Sequence, residues 1–422
     1  MTKVGRGRKM YLSYAVYAIF AALIIWGGKF AGFKGTRFHE DSSSLEVTKS
    51  LRGFCAVGII LHHISQEPAF QSAFGPGKSG ELSIFVNAGY FFVSIFFFCS
   101  GFGLVKSMDT KPDYFKGFIK NRLIKTLIIP FYVSVAIYAV FNLACGEKLA
   151  PAQWVTNFLG ITLMNEYSWY PIVASILYLA FYFTFGKLKN QRLCFILMAA
   201  VILILGVIFC VSGHFTWWAG PKNWWLSWNP SISGKWWSEP KVFWFSGEWW
   251  VNSAPALLVG MIFARHEVKI RDMFRKFYWP KLGLMLAITV GLCFFHGFIG
   301  MRFGYWSEYG GKGPGILDKL VTYASQIPQL ASFVATVFIL MMKYWASNPV
   351  SRFFGKFSFE TYMMNLIAIS SFRFLISGNQ SSPGMRALYI AAVFAGTVIL
   401  ALIYRTLCSL ARNIIIKDRR KS

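Results

Sequence analysis

Residues 52–63 read Arg52-Gly53-Phe54-Cys55-Ala56-Val57-Gly58-Ile59-Ile60-Leu61-His62-His63. An apolar run suited to a bilayer opens on an arginine and closes on two histidines. Ionisable groups at membrane depth are expensive, so they face a protein interior or a water-filled cavity and serve a function there. Arg52 and His63 stand eleven residues apart. At ~100° per residue a helix brings them to within about 20° of one face, about 16 Å apart along its axis. His62 points about 80° away from Arg52. One face thus carries a cation near one membrane surface and an imidazole near mid-depth. The plainer reading is a snorkelling arginine and a histidine bonded to a neighbouring helix.

The rest of the chain supports a bilayer setting. Of its 422 residues 55% are hydrophobic, and only 14% are charged, where a soluble domain has about a quarter. Mean hydropathy is +0.48. This is an integral membrane protein, with the lipid bilayer as a partner. No small-residue cleavage site follows the first apolar run, Tyr11–Trp26, so no cleavable signal peptide is expected. The net charge of +26 would suit a nucleic-acid binder, but multispan proteins collect Lys and Arg in their cytoplasmic loops. No nucleic-acid partner is expected. The seven cysteines are scattered and none has CxxC spacing, so neither a metal site nor a disulfide framework is expected.

Eleven apolar runs are long enough, or nearly so, to span: 11–28, 52–66, 83–105, 124–145, 168–186, 193–212, 243–264, 281–300, 326–345, 358–377 and 386–408. The second is short and is expected to be tilted or embedded away from lipid. Loops 106–125, 187–192, 265–281, 343–356 and the tail from Arg405 gather 24 Lys and Arg, and the alternate loops hold nine. The positive-inside rule therefore places the first set, including the C-terminus, in the cytoplasm. Arg52 then lies at a cytoplasmic helix end. The run 11–28 conflicts, because Lys3, Arg6, Arg8 and Lys9 argue for an inside start. It either crosses against the rule, lies along the interface, or dips in and returns, and a crossing helix is expected. The expected fold is all-α: a polytopic membrane helix bundle with a ten-helix core plus an extra N-terminal helix. The expected organisation is 1–50 as N-terminal helix and linker, 51–412 as the ten-span domain, and 413–422 as a basic cytoplasmic tail. Ten of the sixteen tryptophans fall between Trp217 and Trp250. They suit an aromatic belt at the outer interface, or a stacking platform for a flat apolar or sugar-like face.

Four further patches carry candidate chemistry. Ser100 and Gly101 interrupt a Phe-rich helix, where small residues let neighbours approach closely. Lys120, Arg122 and Lys125 precede Pro130. Arg122 and Lys125, three apart, would share a face; beyond loop charge, they would suit a phosphate clamp, with forked contacts from Arg and a point charge from Lys. Asn165-Glu166-Tyr167-Ser168-Trp169-Tyr170 leads into a helix mouth on the outer side. Ser358, Glu360, Tyr362 and Asn365 place polar groups in one apolar span, with Ser358, Tyr362 and Asn365 on one face and Glu360 in need of its own partner.

In order and spacing, these pieces resemble the acyltransferase-3 family of bacterial integral-membrane acyltransferases. They are Leu51-Arg52-Gly53 with His63, Ser100-Gly101-Phe102, Arg122 to Lys125 before Pro130, Trp169-Tyr170, Pro255 to Gly260, and Gly355-Lys356-Phe357-Ser358 through Tyr362. The resemblance implies transfer of an acyl group, commonly acetyl from acetyl-CoA, to a hydroxyl of a cell-surface sugar or glycan, at a bacterial plasma membrane. His63 and Arg52 match its Arg-to-His pair. Lys120, Arg122, Lys125 and Ser100 are the expected contacts to the acyl-CoA donor. His62, Asn165, Trp169, Glu360, Tyr362 and Asn365 are expected around the glycan or lipid-linked sugar acceptor. Two departures stand out: Lys125 where Arg is common, and Asn365 where a histidine is often found. A glycan or lipid flippase, or a sensing relative that has lost catalysis, are the alternatives.

Overall fold

The computed structural model describes residues 3–70, 81–146, 151–212, 247–305, 315–377 and 382–416. In order, the chain forms α1 (Lys3–Ile25), α2 (Leu45–Ser65), α3 (Ser83–Val86), α4 (Gly89–Thr110) and a π-helix (Ile119–Ile128) that runs into α5 (Ile129–Ala144). There follow α6 (Pro151–Phe158), α7 (Trp169–Lys187), α8 (Gln191–Ser212), α9 (Pro255–Arg275), α10 (Tyr278–Arg302), α11 (Ile316–Met341), α12 (Pro349–Lys356), α13 (Ser358–Phe372) and α14 (Pro383–Ile415). Two three-residue strands, β1 (Gly28–Phe30) and β2 (Tyr344–Ala346), pair antiparallel, with Lys29 opposite Trp345. Among the described residues, seven helical stretches are long and apolar enough to cross a membrane: α4, the π-helix with α5, α7, α8, α10, α11 and α14. The fold is an all-α polytopic helix bundle.

Each apolar run read from the sequence meets a helix, and the differences lie at the ends. The run 52–66 belongs to α2, whose 21 residues give about 31 Å of helix. Its first turn is polar and escapes a hydropathy reading. Ser44 caps it, accepting from the Val47 N–H at 3.3 Å. Every residue from Cys55 to Leu61 is buried. The run 83–105 breaks at Asn87–Ala88, between α3 and α4. In the run 243–264 the helix starts only at Pro255, then continues through the expected basic loop to Arg275, with non-helical backbone at His266. The Trp-rich stretch from Trp217 to Trp244 lies outside the described residues, whereas Trp250 is buried.

The chain divides into two compact units, residues 1–96 with 338–407, and 97–337 with 408–422. In the first, α2, α13 and α14 share a core that includes Ile60, Ile64, Phe85, Ile369, Tyr389 and Val393. Leu12, Val16, Tyr17, Phe20 and Leu23 of α1 pack against it at helical spacing. Phe20 meets Phe85 edge-on at 5.2 Å. Lipid tails are as apolar as leucine, so such faces are held by close packing more than by water exclusion. The closest approach is between α2 and α12. A Cβ on Gly53 would stand 1.9 Å from the Ser351 carbonyl oxygen, and one on Gly355 2.0 Å from that of Lys49. The two backbones touch, which only glycine permits.

The segment after α1 is bound to the β2 region. Asn348 donates to the carbonyls of Leu23 at 2.8 Å and Trp26 at 3.1 Å, and the Tyr344 hydroxyl donates to that of Ile24 at 2.9 Å. These side chains satisfy carbonyls that a helix end leaves open. The buried Lys343 ammonium donates to the carbonyls of Gly32, Lys34 and Arg37.

In the second unit, α4 and α9 repeat the glycine device. A Cβ on Gly101 would stand 2.0 Å from the Leu257 oxygen, and one on Gly260 2.1 Å from that of Phe98. Polar pairs join α10 to α11: Thr289 with Thr336 at 2.9 Å, and His296 Nδ1 with Ser325 Oγ at 2.8 Å. Where α4 and α9 extend as helix beyond their apolar runs, Lys106 pairs with Glu267, and Arg265 with Asp109 at 3.3 Å.

Candidate active site

The first unit holds the residues with which the sequence reading began. α2 is a continuous α-helix, so Arg52 and His63 lie on one face as their spacing predicts. His63 is buried, and its Nδ1 lies 2.9 Å from Asn365 Nδ2. Asn365 is fully buried on α13, and its Oδ1 has no hydrogen-bond partner. Tyr362, one turn earlier on α13, places its ring 6.3 Å from that of His63. The structure thus brings His63, Tyr362 and Asn365 together from segments about 300 residues apart in the chain.

His62 sits 5.2 Å from His63, ring to ring, but is engaged elsewhere. Its Nδ1 lies 2.8 Å from the Phe85 carbonyl oxygen, and its Nε2 3.3 Å from Gln66 Nε2. A carbonyl only accepts, so His62 carries its proton on Nδ1 and accepts from Gln66 at Nε2. Both nitrogens are used by the protein, and the ring packs against Gly89. Glu360, expected near the acceptor, faces Arg405 at 3.8 Å. Just beyond α2, Glu67 forms a forked pair with Arg373 at 2.7 and 2.8 Å. The sequence reading missed that pair because its partners are 306 residues apart.

At the other end of α2 the guanidinium of Arg52 keeps a buried Nε with no partner. An unpaired buried donor costs about 1–3 kcal/mol, which a bound anion would recover. Lys49, three residues earlier and so on the same side of α2, helps to line an open cleft of about 270 Å³ with Leu45, Glu46 and Arg352. Lys49 and Arg352 escaped the sequence reading. Arg352 was counted only as loop charge, and Lys49 precedes the apolar run.

The other candidates belong to the second unit. Lys120, Arg122 and Lys125 lie on the π-helix, which corrects the expected pairing. With i→i+5 bonding, residues five apart stack, so Lys120 and Lys125 align and Arg122 points elsewhere. Arg122 donates to Ser107 Oγ at 2.8 Å and lies 5.9 Å from the centre of the Tyr114 ring. Burial pushes the Tyr114 phenol up, against the pull of Arg122. Ser100 Oγ meets the Tyr178 hydroxyl at 3.1 Å. Asn165 is buried and builds the turn into α7, its Oδ1 accepting from the Tyr167 N–H at 3.0 Å. Trp169 is buried against Phe97, ring centres 6.4 Å apart. Among the described residues no group of three or more His, Cys, Asp or Glu converges on a metal position.

A polar pair around a buried imidazole, with an unpaired arginine on the same helix, suits proton transfer beside an anionic ligand. No curated protein and no solved structure significantly matches the chain. A family model described as an acyltransferase domain matches residues 49–406, from just before Arg52 to beyond the α13 polar group, and the chain belongs to this family, the acyltransferase-3 family of multi-pass membrane acyltransferases.

Proposed function

We propose that the protein moves an acyl group, acetyl in the first instance, from acyl-CoA to a hydroxyl of a cell-surface glycan or lipid-linked sugar. The observation that carries this reading is the buried His63 of α2, the helix that also carries Arg52 with its unpaired Nε, hydrogen-bonded to Asn365 of α13. His63 acts as general base. It takes the acceptor's O–H proton as that oxygen attacks the thioester carbonyl. When the C–S bond breaks, the imidazolium returns the proton to the departing CoA sulfur, and ester and free thiol result. Arg52 binds a donor phosphate by charge-assisted hydrogen bonds, with Lys49 and Arg352 adding charge at the same end. In the second unit, taken by itself, Lys120, Arg122 and Lys125 are read as cations suited to phosphate, Arg as a fork and Lys as a point charge. Helix packing keeps water from the thioester.

The reading places the protein in a bacterial plasma membrane with its C-terminus in the cytoplasm, as the 24 to nine division of loop cations supports. The direct test is acyl transfer by purified protein in proteoliposomes. Free CoA thiol is measured with acetyl-CoA as donor, with and without His63→Ala. Full transfer by a folded His63→Ala protein would sink the assignment. Mass spectrometry of surface glycans from cells with and without the protein should show a difference of one acyl group and name the acceptor.

A further inference from the structure

We infer that the open cleft beside Arg52 is the subsite for the adenosine 3′-phosphate end of the donor, with Lys49 and Arg352 on the phosphate and Glu46 on the base. The inference rests on the reading of acyl-CoA as donor and of His63 as the place of transfer. The cleft measures about 270 Å³ and is lined by Leu45, Glu46, Lys49 and Arg352. That is just short of the ~300 Å³ at which whole small-molecule sites begin, so it suits one end of a longer ligand. Position along α2 decides which end. α2 is continuous from Leu45 to Ser65. At ~100° per residue, Leu45, Lys49, Arg52 and His63 fall within about 60° of one another. At ~1.5 Å per residue, Arg52 lies about 16 Å from His63, Lys49 about 21 Å and Leu45 about 27 Å. In CoA about thirteen bonds separate the sulfur from the diphosphate, and an extended chain covers about 1.1–1.2 Å per bond, so this arm spans about 15 Å. With the thioester at His63, the diphosphate reaches Arg52, and the adenosine 3′-phosphate lies beyond it, where the cleft is.

The cleft offers what that group needs. Lys49 and Arg352 come from different helices, and the Gly53 and Gly355 backbone approaches hold α12 against α2. Among the described residues neither cation has a carboxylate partner. The Arg352 guanidinium makes only a 3.4 Å approach to Ser347 Oγ. Both charges are therefore open to a phosphate monoester, which carries about −1.5 to −2 at neutral pH and takes a fork from Arg and a point charge from Lys. Leu45 is 77% exposed and gives an adenine face an apolar wall. Glu46, in the first turn of α2, would repel a bare anion; against adenosine its carboxylate accepts from the exocyclic amine. An acid beside two cations thus favours a nucleotide over inorganic phosphate or a lipid phosphate. A donor that ends at the pantetheine phosphate, as on a carrier protein, leaves this cleft empty, so the cleft selects free CoA thioesters.

The test compares two donors by initial rates of acetyl transfer in proteoliposomes. Acetyl-CoA is set against acetyl-3′-dephospho-CoA, which lacks only the phosphate assigned to the cleft. The parent should favour acetyl-CoA in kcat/KM by about 10- to 150-fold, the factor that hydrogen bonds to a charged group supply. Lys49→Gln and Arg352→Gln should each lower kcat/KM for acetyl-CoA by about tenfold, through KM rather than kcat, and shrink the preference by the same factor. A second measurement needs no variant. By calorimetry the parent should bind adenosine 3′,5′-bisphosphate at least about tenfold more tightly than adenosine 5′-phosphate. Equal binding of the two nucleotides, equal use of the two donors by the parent, or a preference kept in full by both folded variants would each overturn the inference. Transfer from both donors without preference sinks the inference alone. Transfer from neither sinks the acyl-CoA reading, and this inference with it.

Discussion

Gly53→Ala tests how α2 is held beside the site. The added Cβ would stand 1.9 Å from the Ser351 carbonyl oxygen, 2.7 Å from its carbon and 2.9 Å from the Gly355 nitrogen. A relaxed carbon–oxygen contact needs about 3.3 Å, so α12 must retreat by about 1.4 Å. All three obstructing atoms are backbone, so no rotamer change relieves the clash. Overpacking of this kind costs about 1–3 kcal/mol, and the upper end applies where both partners are backbone. The consequence for chemistry is larger than for stability. Arg52 is the adjacent residue, and α13 with Asn365 follows directly from α12, so the two sides of the His63–Asn365 bond move apart. A misplacement of about 1 Å costs about 10²-fold in rate. The assay is thermal unfolding in detergent by tryptophan fluorescence, alongside initial rates of acetyl transfer. Gly103→Ala is the control. It lies in α4 with nothing within 4 Å of its added Cβ, and should gain about 0.5–1 kcal/mol from helix propensity. If Gly53→Ala melts with the parent and transfers at its rate, the backbone contact is not what sets α2. Gly355→Ala should behave alike, and the double variant should cost less than the sum, because both act on one interface.

The remaining predictions use the same assays. Gly101→Ala and Gly260→Ala should each lower the melting temperature, since their Cβ atoms would meet backbone oxygens at 2.0 and 2.1 Å; unchanged melting of both would refute the α4–α9 contact. Arg52→Gln removes a guanidinium whose buried Nε has no protein partner, so stability should not fall and should rise by up to the ~1–3 kcal/mol that the unpaired donor costs. The lost phosphate bond, about 1.5–3 kcal/mol, should cut kcat/KM for acetyl-CoA by about 10- to 150-fold, and a parental kcat/KM would remove Arg52 from the donor. Asn348→Ala deletes the cap of α12 and the donor to two α1 carbonyls, and should destabilise by about 2–3 kcal/mol. α1 ends beside Tyr344 and Asn348, in the loop that the proposed topology puts in the cytoplasm, and its 23 residues run about 34 Å. Its start should therefore face outward. In a cysteine-free background, Thr2→Cys should react with an impermeant maleimide added to intact cells; labelling only after permeabilisation would refute a crossing α1.

The positions of the helices were legible because bilayer-length apolar runs are a strong local signal. What stayed hidden was whatever depends on a partner distant in sequence. Hydropathy reports where lipid is tolerated, and helices continue past that point when charges find partners. Thus α9 runs on to Arg275 through a stretch read as loop, with Arg265 and Glu267 paired to Asp109 and Lys106. The π-helix was missed for a related reason: apolar spacing does not report which carbonyl each N–H selects, and the assumed pairing of Arg122 with Lys125 fell with it. Gly53, Gly101, Gly260 and Gly355 all stood in the motifs read from sequence. Small residues announce a close approach, but only the fold reveals that they form two pairs of facing helices.

The site divides in the same way. Its α2 face followed from helix geometry, and Asn365 was conspicuous as a departure from the family's histidine. That the departure sits on His63 itself was beyond reach of the sequence, across 302 residues. This contact changes what Asn365 means. A residue that merely lined an acceptor pocket would be free to vary with the acceptor. One hydrogen-bonded to His63 must keep a polar atom at that point. Arg52 Nε and Asn365 Oδ1 are both buried without a partner, one in the first half of α2 and the other beside its histidine. Each such atom costs about 1–3 kcal/mol. A bound phosphate recovers the first cost. The unpaired Arg52 Nε therefore calls for an anionic ligand, and the Arg52→Gln assay tests for it.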